Sequence, residues 1–214
     1  MTFDLVVFDV DGTLTKHNSI WWRLHEVFDT TEEGKKFYDQ FFAGEISYQE
    51  WADLDAGLWR GRSVAEIMAI VHATELVAGA VESIAEIRSR GFEVAILSGG
   101  INFLAEDIAR RVNIDYVLTN ELEAEDGILT GRVRVRVGWG EKVEEIKEIL
   151  RHFGTSFERT IFVGDGRNDV SVMKKAGLAI AFRPEHPEVE RSAHVVINEE
   201  DLRAILPHIP SGPS

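Results

Sequence analysis

No cysteine occurs in the 214 residues, which excludes disulfides and thiolate metal sites. No apolar run is long enough to span a bilayer, so no membrane partner is expected. The opening Met1-Thr2-Phe3-Asp4 carries no basic stretch. No signal peptide is therefore expected, and the cytoplasm is the expected location. Positive charge is also short: 23 Lys and Arg stand against 37 Asp and Glu, a net charge of -14. That balance argues against a nucleic-acid partner, because phosphate backbones are bound through excess positive charge. It also repels small anions at long range, so an anionic substrate would need a local cation and well-placed donors. What is plentiful is apolar residues, 44% of the chain, enough for one large domain or a core with a smaller insert.

The stretch Val6 to Thr15 organises the rest. Leu5 to Phe8 is an apolar run that predicts a fully buried strand. It ends in Asp9 and Asp11, one residue apart, and Gly12-Thr13 turn the chain away. Ligands of open parallel sheets bind beyond the carboxyl ends of the strands. Two acids placed there suit phosphoryl transfer with magnesium: one attacks, the other exchanges a proton with the leaving group. The alternative is that both acids cap a turn.

From about Lys16 to Val77 the pattern is helical. Asn18 or Ser19 is placed to cap a first helix, and Phe37, Phe41 and Phe42 follow at helical spacing. Gly44 stops that segment, Ser47 opens another, and Ser63 with Glu66 forms a capping box for a fourth. Trp21, Trp22, Trp51 and Trp59 fall in this region. They are expected to form its core, with one or two lining a substrate pocket instead.

Strands and helices then alternate. Strands are predicted at Phe92–Leu97, Ile114–Leu118, Thr160–Asp165, Leu178–Phe182 and His194–Ile197. Glu125-Asp126-Gly127 predicts a hairpin turn, followed by a half-exposed strand over Arg132–Val137 with three arginines on a solvated face. Glu141 to Phe153 predicts an amphipathic helix, Asp201 to Leu206 a closing helical turn, and Pro207, Pro210 and Pro213 a frayed tail. The expected fold class is α/β: a Rossmann-like doubly wound parallel sheet with a small inserted helical cap. The expected division is 1–15 and 78–214 for the core and 16–77 for the cap.

The strand ends share one rim. There Asp9 and Asp11 are joined by Ser98, by Gly99 and Gly100 with backbone N–H groups expected to be bare before a helix start, and by Lys142. Gly164-Asp165-Gly166-Arg167-Asn168-Asp169 adds a second acidic pair. Two carboxylates and a carbonyl are enough protein ligands for magnesium.

Asp9-Val10-Asp11-Gly12-Thr13, Ser98-Gly99-Gly100, Lys142 and Gly164-Asp165-Gly166-Arg167-Asn168-Asp169 resemble the four motifs of the haloacid dehalogenase-like superfamily. The closer resemblance is to its phosphoserine phosphatase-like branch, from Leu5 to about Leu206, with Asn120 and Leu129-Thr130-Gly131 also matching. The resemblance implies a phosphomonoester hydrolase. Asp9 is then the nucleophile and carries an aspartyl phosphate, and Asp11 is the acid and base. Ser98, Gly99, Gly100, Lys142 and Asn168 hold the phosphoryl group. Mg2+ sits on Asp9, the backbone carbonyl of Asp11, and Asp165, with Asp169 orienting the site from behind. The partner is a small phosphorylated metabolite, and the chain is expected to be a monomer or homodimer.

Two positions depart from that branch. Where its cap supplies a glutamate for the substrate ammonium and an arginine for its carboxylate, this chain has Asn18 and Asp55. A one-turn shift would bring in Glu26, Arg60 or Arg62. The substrate is thus either phosphoserine bound through other groups, or an amine-bearing phosphomonoester without a carboxylate, such as histidinol phosphate, phosphocholine or phosphoethanolamine. A phosphomutase, returning the phosphoryl group to substrate, is a further alternative. His17 is expected to be a surface residue.

Overall fold

The computed structural model describes residues 3–212. Met1, Thr2 and Pro213, used above in the readings of the leader and the tail, lie outside them. Seven strands form one sheet: β1 (Leu5–Phe8), β2 (Glu93–Ile101), β3 (Tyr116–Glu125), β4 (Ile128–Arg134), β5 (Thr160–Gly164), β6 (Leu178–Phe182) and β7 (Val195–Ile197). Their order is β4-β3-β2-β1-β5-β6-β7. All neighbours are parallel except β3 and β4.

The four residues of β1 are buried on both faces, which is why they read as an unbroken apolar run. Val6 and Phe8 join the core with Ile84, Ile87 and Leu202. Leu5 and Val7 point the other way, toward Ile146, Ile149 and Phe162. Phe8 is paired with Ile96 on one side and Val163 on the other. The chain therefore leaves β1 where the strand order changes direction, the position at which open sheets form a crevice.

Four helices lie between β1 and the next crossover: α1 (Ile20–Phe28), α2 (Thr31–Phe42), α3 (Tyr48–Leu58) and α4 (Val64–Ala73). Ser19 caps α1 by accepting from Trp22 N–H. Both Ser47 with Glu50 and Ser63 with Glu66 form capping boxes, satisfying backbone donors that a helix start leaves free. The remaining α-helices are α5 (Ala80–Ser89), α6 (Asn102–Val112), α7 (Lys142–Phe153), α8 (Val170–Met173) and α9 (Pro187–Ser192). Among the described residues no helix is long and apolar enough to cross a membrane.

Several sequence expectations are corrected. β3 runs to Glu125 rather than stopping near Leu118, because beyond β2 it gains β4 as an antiparallel partner. β4 begins at Ile128 and ends at Arg134, earlier than Arg132–Val137. Its continuation is diverted when Arg136 N–H and Val137 N–H both donate to Asn120 Oδ1, each at 2.8 Å. The segment Leu202–His208 is a 3-10 helix containing Pro207. The tryptophans are not mainly core. Trp59 is fully buried, but Trp22 is 41% exposed, and Trp21, Trp22 and Trp51 all line a cavity. Helical spacing does not distinguish a face turned to packed side chains from one turned to a chamber.

The β3–β4 hairpin also reaches the inserted helices. Gly61 N–H donates to Leu129 O, Leu129 N–H to Arg62 O, and Val64 N–H to Gly127 O. Arg132, Arg134 and Arg136 pair with Glu123, Glu125, Glu121 and Glu148, consistent with a solvated charged face.

Candidate active site

The end of β1 places Asp9 beside the ends of β2 and β5, and Asp9 N–H donates to Val163 O at 3.0 Å. Lys142, in the first turn of α7, projects into the same buried space. Its Nζ lies 2.8 Å from Asp9 Oδ1 and 2.6 Å from Asp169 Oδ1. Lys142 and Asp169 are wholly inaccessible to solvent. Burial opposes the charge on Lys142, but Asp169 and Asp9 outweigh it and hold the ammonium above its ordinary range.

The turn after β5 supplies the rest. Asp169 Oδ2 accepts from Asp165 N–H at 3.1 Å and Gly166 N–H at 3.0 Å. With Lys142 on its other oxygen, Asp169 braces this loop. Thr13 Oγ donates to Asp165 Oδ1, so the turn after β1 orients an acid that follows β5. Gly12 has φ +80°, and a Cβ there would lie 2.1 Å from Asp165 Oδ2. Only glycine permits both the left-handed backbone and this approach.

Asp9, Asp165 and Asp169 each offer an oxygen within 4.8 Å of the others, and all three are buried. Lys142 is the ammonium that meets two of them, so negative charge is in excess. Burial raises Asp165 well above its ordinary value, with Asp9 adding to the shift. Burial likewise lifts Asp9 to about 6, with Lys142 opposing it. A hard divalent cation with oxygen ligands fits such a site, supplying charge that the folded chain leaves uncompensated.

Asp11 differs from Asp9. Its Oδ1 accepts from Ile20 N–H, the first turn of α1, at 3.0 Å. Burial and then the Asp9 charge push it up to about 8, so at neutral pH it retains a proton. Ser98 is buried, and its Oγ accepts from Gly100 N–H at 3.0 Å. The Gly100 donor expected to be bare is thus internally held. Gly99, Gly100 and Asn168 line the cavity beside Asp9, Asp11 and Asp165.

The cavity measures about 610 Å³ and is roofed by α1 to α3. Trp21 Nε1 donates to Gly99 O at 3.0 Å and Asn18 Nδ2 to Glu185 Oε1 at 2.5 Å, so α1 and its lead-in are tied to the sheet's rim. Asn18 and Asp55 both border the cavity. Asp55 is 3% exposed and lies 3.1 Å from His25 Nε2. Burial raises it, although His25 and Trp51 pull it down. Glu26 lines the cavity but Arg60 and Arg62 do not: Arg62 lies over the Phe28 ring at 4.6 Å and contacts Glu66. His17 is exposed at the rim.

Sequence reasoning missed Thr13 as the partner of Asp165 and Trp139 and Glu185 as wall residues. Trp139 lies three residues before Lys142; that proximity was the available signal.

The excess of buried carboxylate has a measurable consequence. Asp9, Asp11 and Asp165 hold protons in the metal-free folded state at pH values where the unfolded chain, with ordinary values near 3.8, has released them. Their contribution to stability therefore falls as pH rises from about 4 to about 8. Magnesium is expected to raise the melting temperature more at about pH 8 than at about pH 5, because it competes with those protons. Thermal melts with magnesium and with chelator at both pH values check this. An equal or larger effect at the lower pH would contradict it.

Comparison with known proteins agrees with this geometry. The family model described as haloacid dehalogenase-like hydrolase matches residues 6–174. Phosphoserine phosphatase of Methanocaldococcus jannaschii is 33% identical over 206 residues, covering 96% of this chain and 97% of that protein. Phosphoserine phosphatase of Streptococcus thermophilus is 33% identical, covering 94% of each. A solved phosphoserine phosphatase, in a phospho-aspartyl intermediate analogue, superposes with TM-score 0.82 at 32% identity, covering 98% of this chain and all of that one. A substrate-bound phosphoserine phosphatase superposes with TM-score 0.83 at 31% identity, with the same coverage.

Proposed function

The chain belongs to the haloacid dehalogenase-like hydrolase family, and from that premise we propose that it is a magnesium-dependent phosphatase. It acts on a small phosphomonoester through an aspartyl phosphate on Asp9. The observation that supports this most directly is the buried Lys142 bridge between Asp9 and Asp169, with Asp165 alongside. The relatives named above are phosphoserine phosphatases, which agrees with it.

Asp9, Asp165 and the Asp11 carbonyl would hold the magnesium ion, whose bound charge neutralises the phosphoryl oxygens. The chain's own groups perform the transfer. Lys142 fixes the Asp9 carboxylate by one oxygen, and at about 6 its pKa leaves it ionised at neutral pH. An Asp9 oxygen attacks phosphorus, and the bond from phosphorus to the leaving alcohol breaks. Asp11, whose carboxyl is held above its ordinary range by burial and the Asp9 charge, gives its proton to that leaving oxygen. The Asp11 carboxylate then takes a proton from water as the water attacks phosphorus, the bond to Asp9 breaks, and inorganic phosphate leaves. Two neighbouring carboxyls held at different pKa values thus divide the nucleophilic and acid–base roles. Ser98, Gly99, Gly100, Lys142 and Asn168 are assigned to the phosphoryl oxygens.

Residues 16–77 act as the cap over residues 1–15 and 78–214, and exclude water other than the attacking molecule. We propose the cytoplasm as its location. The test is release of inorganic phosphate from a panel of small phosphomonoesters, with magnesium and with chelator. Magnesium-dependent release is expected. Transfer between substrates without net phosphate would favour the phosphomutase alternative.

A further inference from the structure

Much of the cavity lining is aromatic, from Trp21 and Trp22 to Trp51 and Trp139. Trp51 is stacked on Phe41 at 4.9 Å and meets Tyr48 edge-on, at 89° and 5.8 Å. Trp139, from the loop before α7, meets Phe42 at 87° and 5.5 Å and lies 6.5 Å from Trp51. Trp21 is fixed by its bond to Gly99 O, and Trp22 lines the same chamber. Rings that line one chamber can offer a cation their faces, and each face carries negative charge density.

Charge in the chamber points the same way. Apart from the reacting acids, Glu26, Asp55 and Glu185 line it, against Lys16, Arg23 and Arg167; of these six, Asp55 alone is buried. The lysine and arginines that line it already have carboxylate partners: Lys16 with Glu75, Arg23 with Glu26 at 3.0 Å, and Arg167 with Glu188 at 4.0 Å. The buried His25 is held by Asp55 at 3.1 Å. Among the described residues that line the chamber, each lysine and arginine lies within 4.0 Å of a carboxylate, and none of them is buried. A substrate carboxylate would lose water against ring faces and acids, which is costly.

Resting on the phosphatase reading, we propose that the preferred substrate is the phosphomonoester of an alcohol carrying an alkylated ammonium group and no carboxylate. The ammonium sits among the rings of Trp22, Trp51 and Trp139, with the phosphate at Asp9. A quaternary ammonium over aromatic faces keeps its attraction when desolvated, unlike a strongly hydrated ion.

The experiment compares kcat/KM for phosphocholine, its neutral isostere with carbon in place of nitrogen, phosphoserine and p-nitrophenyl phosphate, all with magnesium. Phosphocholine is expected to exceed the isostere by roughly 10- to 30-fold, and to exceed phosphoserine. In Trp139→Leu, and separately in Trp22→Leu, the ratio of phosphocholine to isostere is expected to fall toward unity. Both rings are partly exposed, so neither variant depends on refilling a core. Equal rates for phosphocholine and the isostere, a preference for phosphoserine, or an unchanged ratio in both variants would overturn the proposal. If p-nitrophenyl phosphate is hydrolysed while the ammonium has no advantage, the ammonium assignment alone fails. If no phosphomonoester is hydrolysed, the phosphatase reading fails and this inference falls with it.

Discussion

Asp9→Asn is expected to lower kcat for phosphate release by roughly 10⁴- to 10⁶-fold, the scale on which enzymes lose activity without their nucleophile. An amide keeps the shape and can still accept from Lys142, so the fold should persist. It supplies no anionic oxygen to attack phosphorus. It also removes one of the three clustered carboxylates, so the magnesium-induced rise in melting temperature should shrink. Burst-corrected phosphate assays and paired thermal melts check the two effects. Retention of more than about a tenth of the rate would place the nucleophile elsewhere.

Lys142→Met is expected to be the most destabilising change at the site. The side chain has no solvent exposure and separates two buried carboxylates, at 2.8 and 2.6 Å. Removing one partner of a buried charge set leaves the others uncompensated, at a cost of about 3–5 kcal/mol. For a chain of this size that corresponds to a fall of roughly 6–20 °C in melting temperature, measured without metal. Activity should also be lost, because no ammonium remains to hold Asp9 and the phosphoryl oxygens. Adding Asp169→Asn is expected to recover part of the stability and none of the activity. A single variant that melts like the parent would show that Lys142 carries no such charge balance.

The carboxylate-bearing rim of the sheet was legible because its groups are tied to local signals. An apolar run ending in Asp9 can be placed at a strand end by pattern alone, and so can Thr160 to Gly164 ending before Asp165. Lys142 could be put at a helix start, although nothing in its local sequence specified contact with both Asp9 and Asp169. The chamber was less legible. Trp51 and Trp59 lie on the same helical stretch, eight residues apart, yet one lines the cavity and the other is core. The difference is set by which neighbours close over each ring. Trp139 and Glu185 reach the chamber from core loops far along the chain, a juxtaposition made only by folding. The hairpin's bonds to Gly61, Arg62 and Val64 were hidden for the same reason. The diversion of the chain at Arg136 depended on one distant side chain, Asn120.

The most direct test of the account is acid quenching of the enzyme during turnover of a hydrolysed phosphomonoester with magnesium, followed by mass spectrometry of the peptide that contains Asp9. A phosphoryl adduct on Asp9, removed by hydroxylamine and absent from Asp9→Asn, is the expected result. Phosphate release with no adduct, in a single turnover fast enough to capture one, together with an active Asp9→Asn, would contradict it.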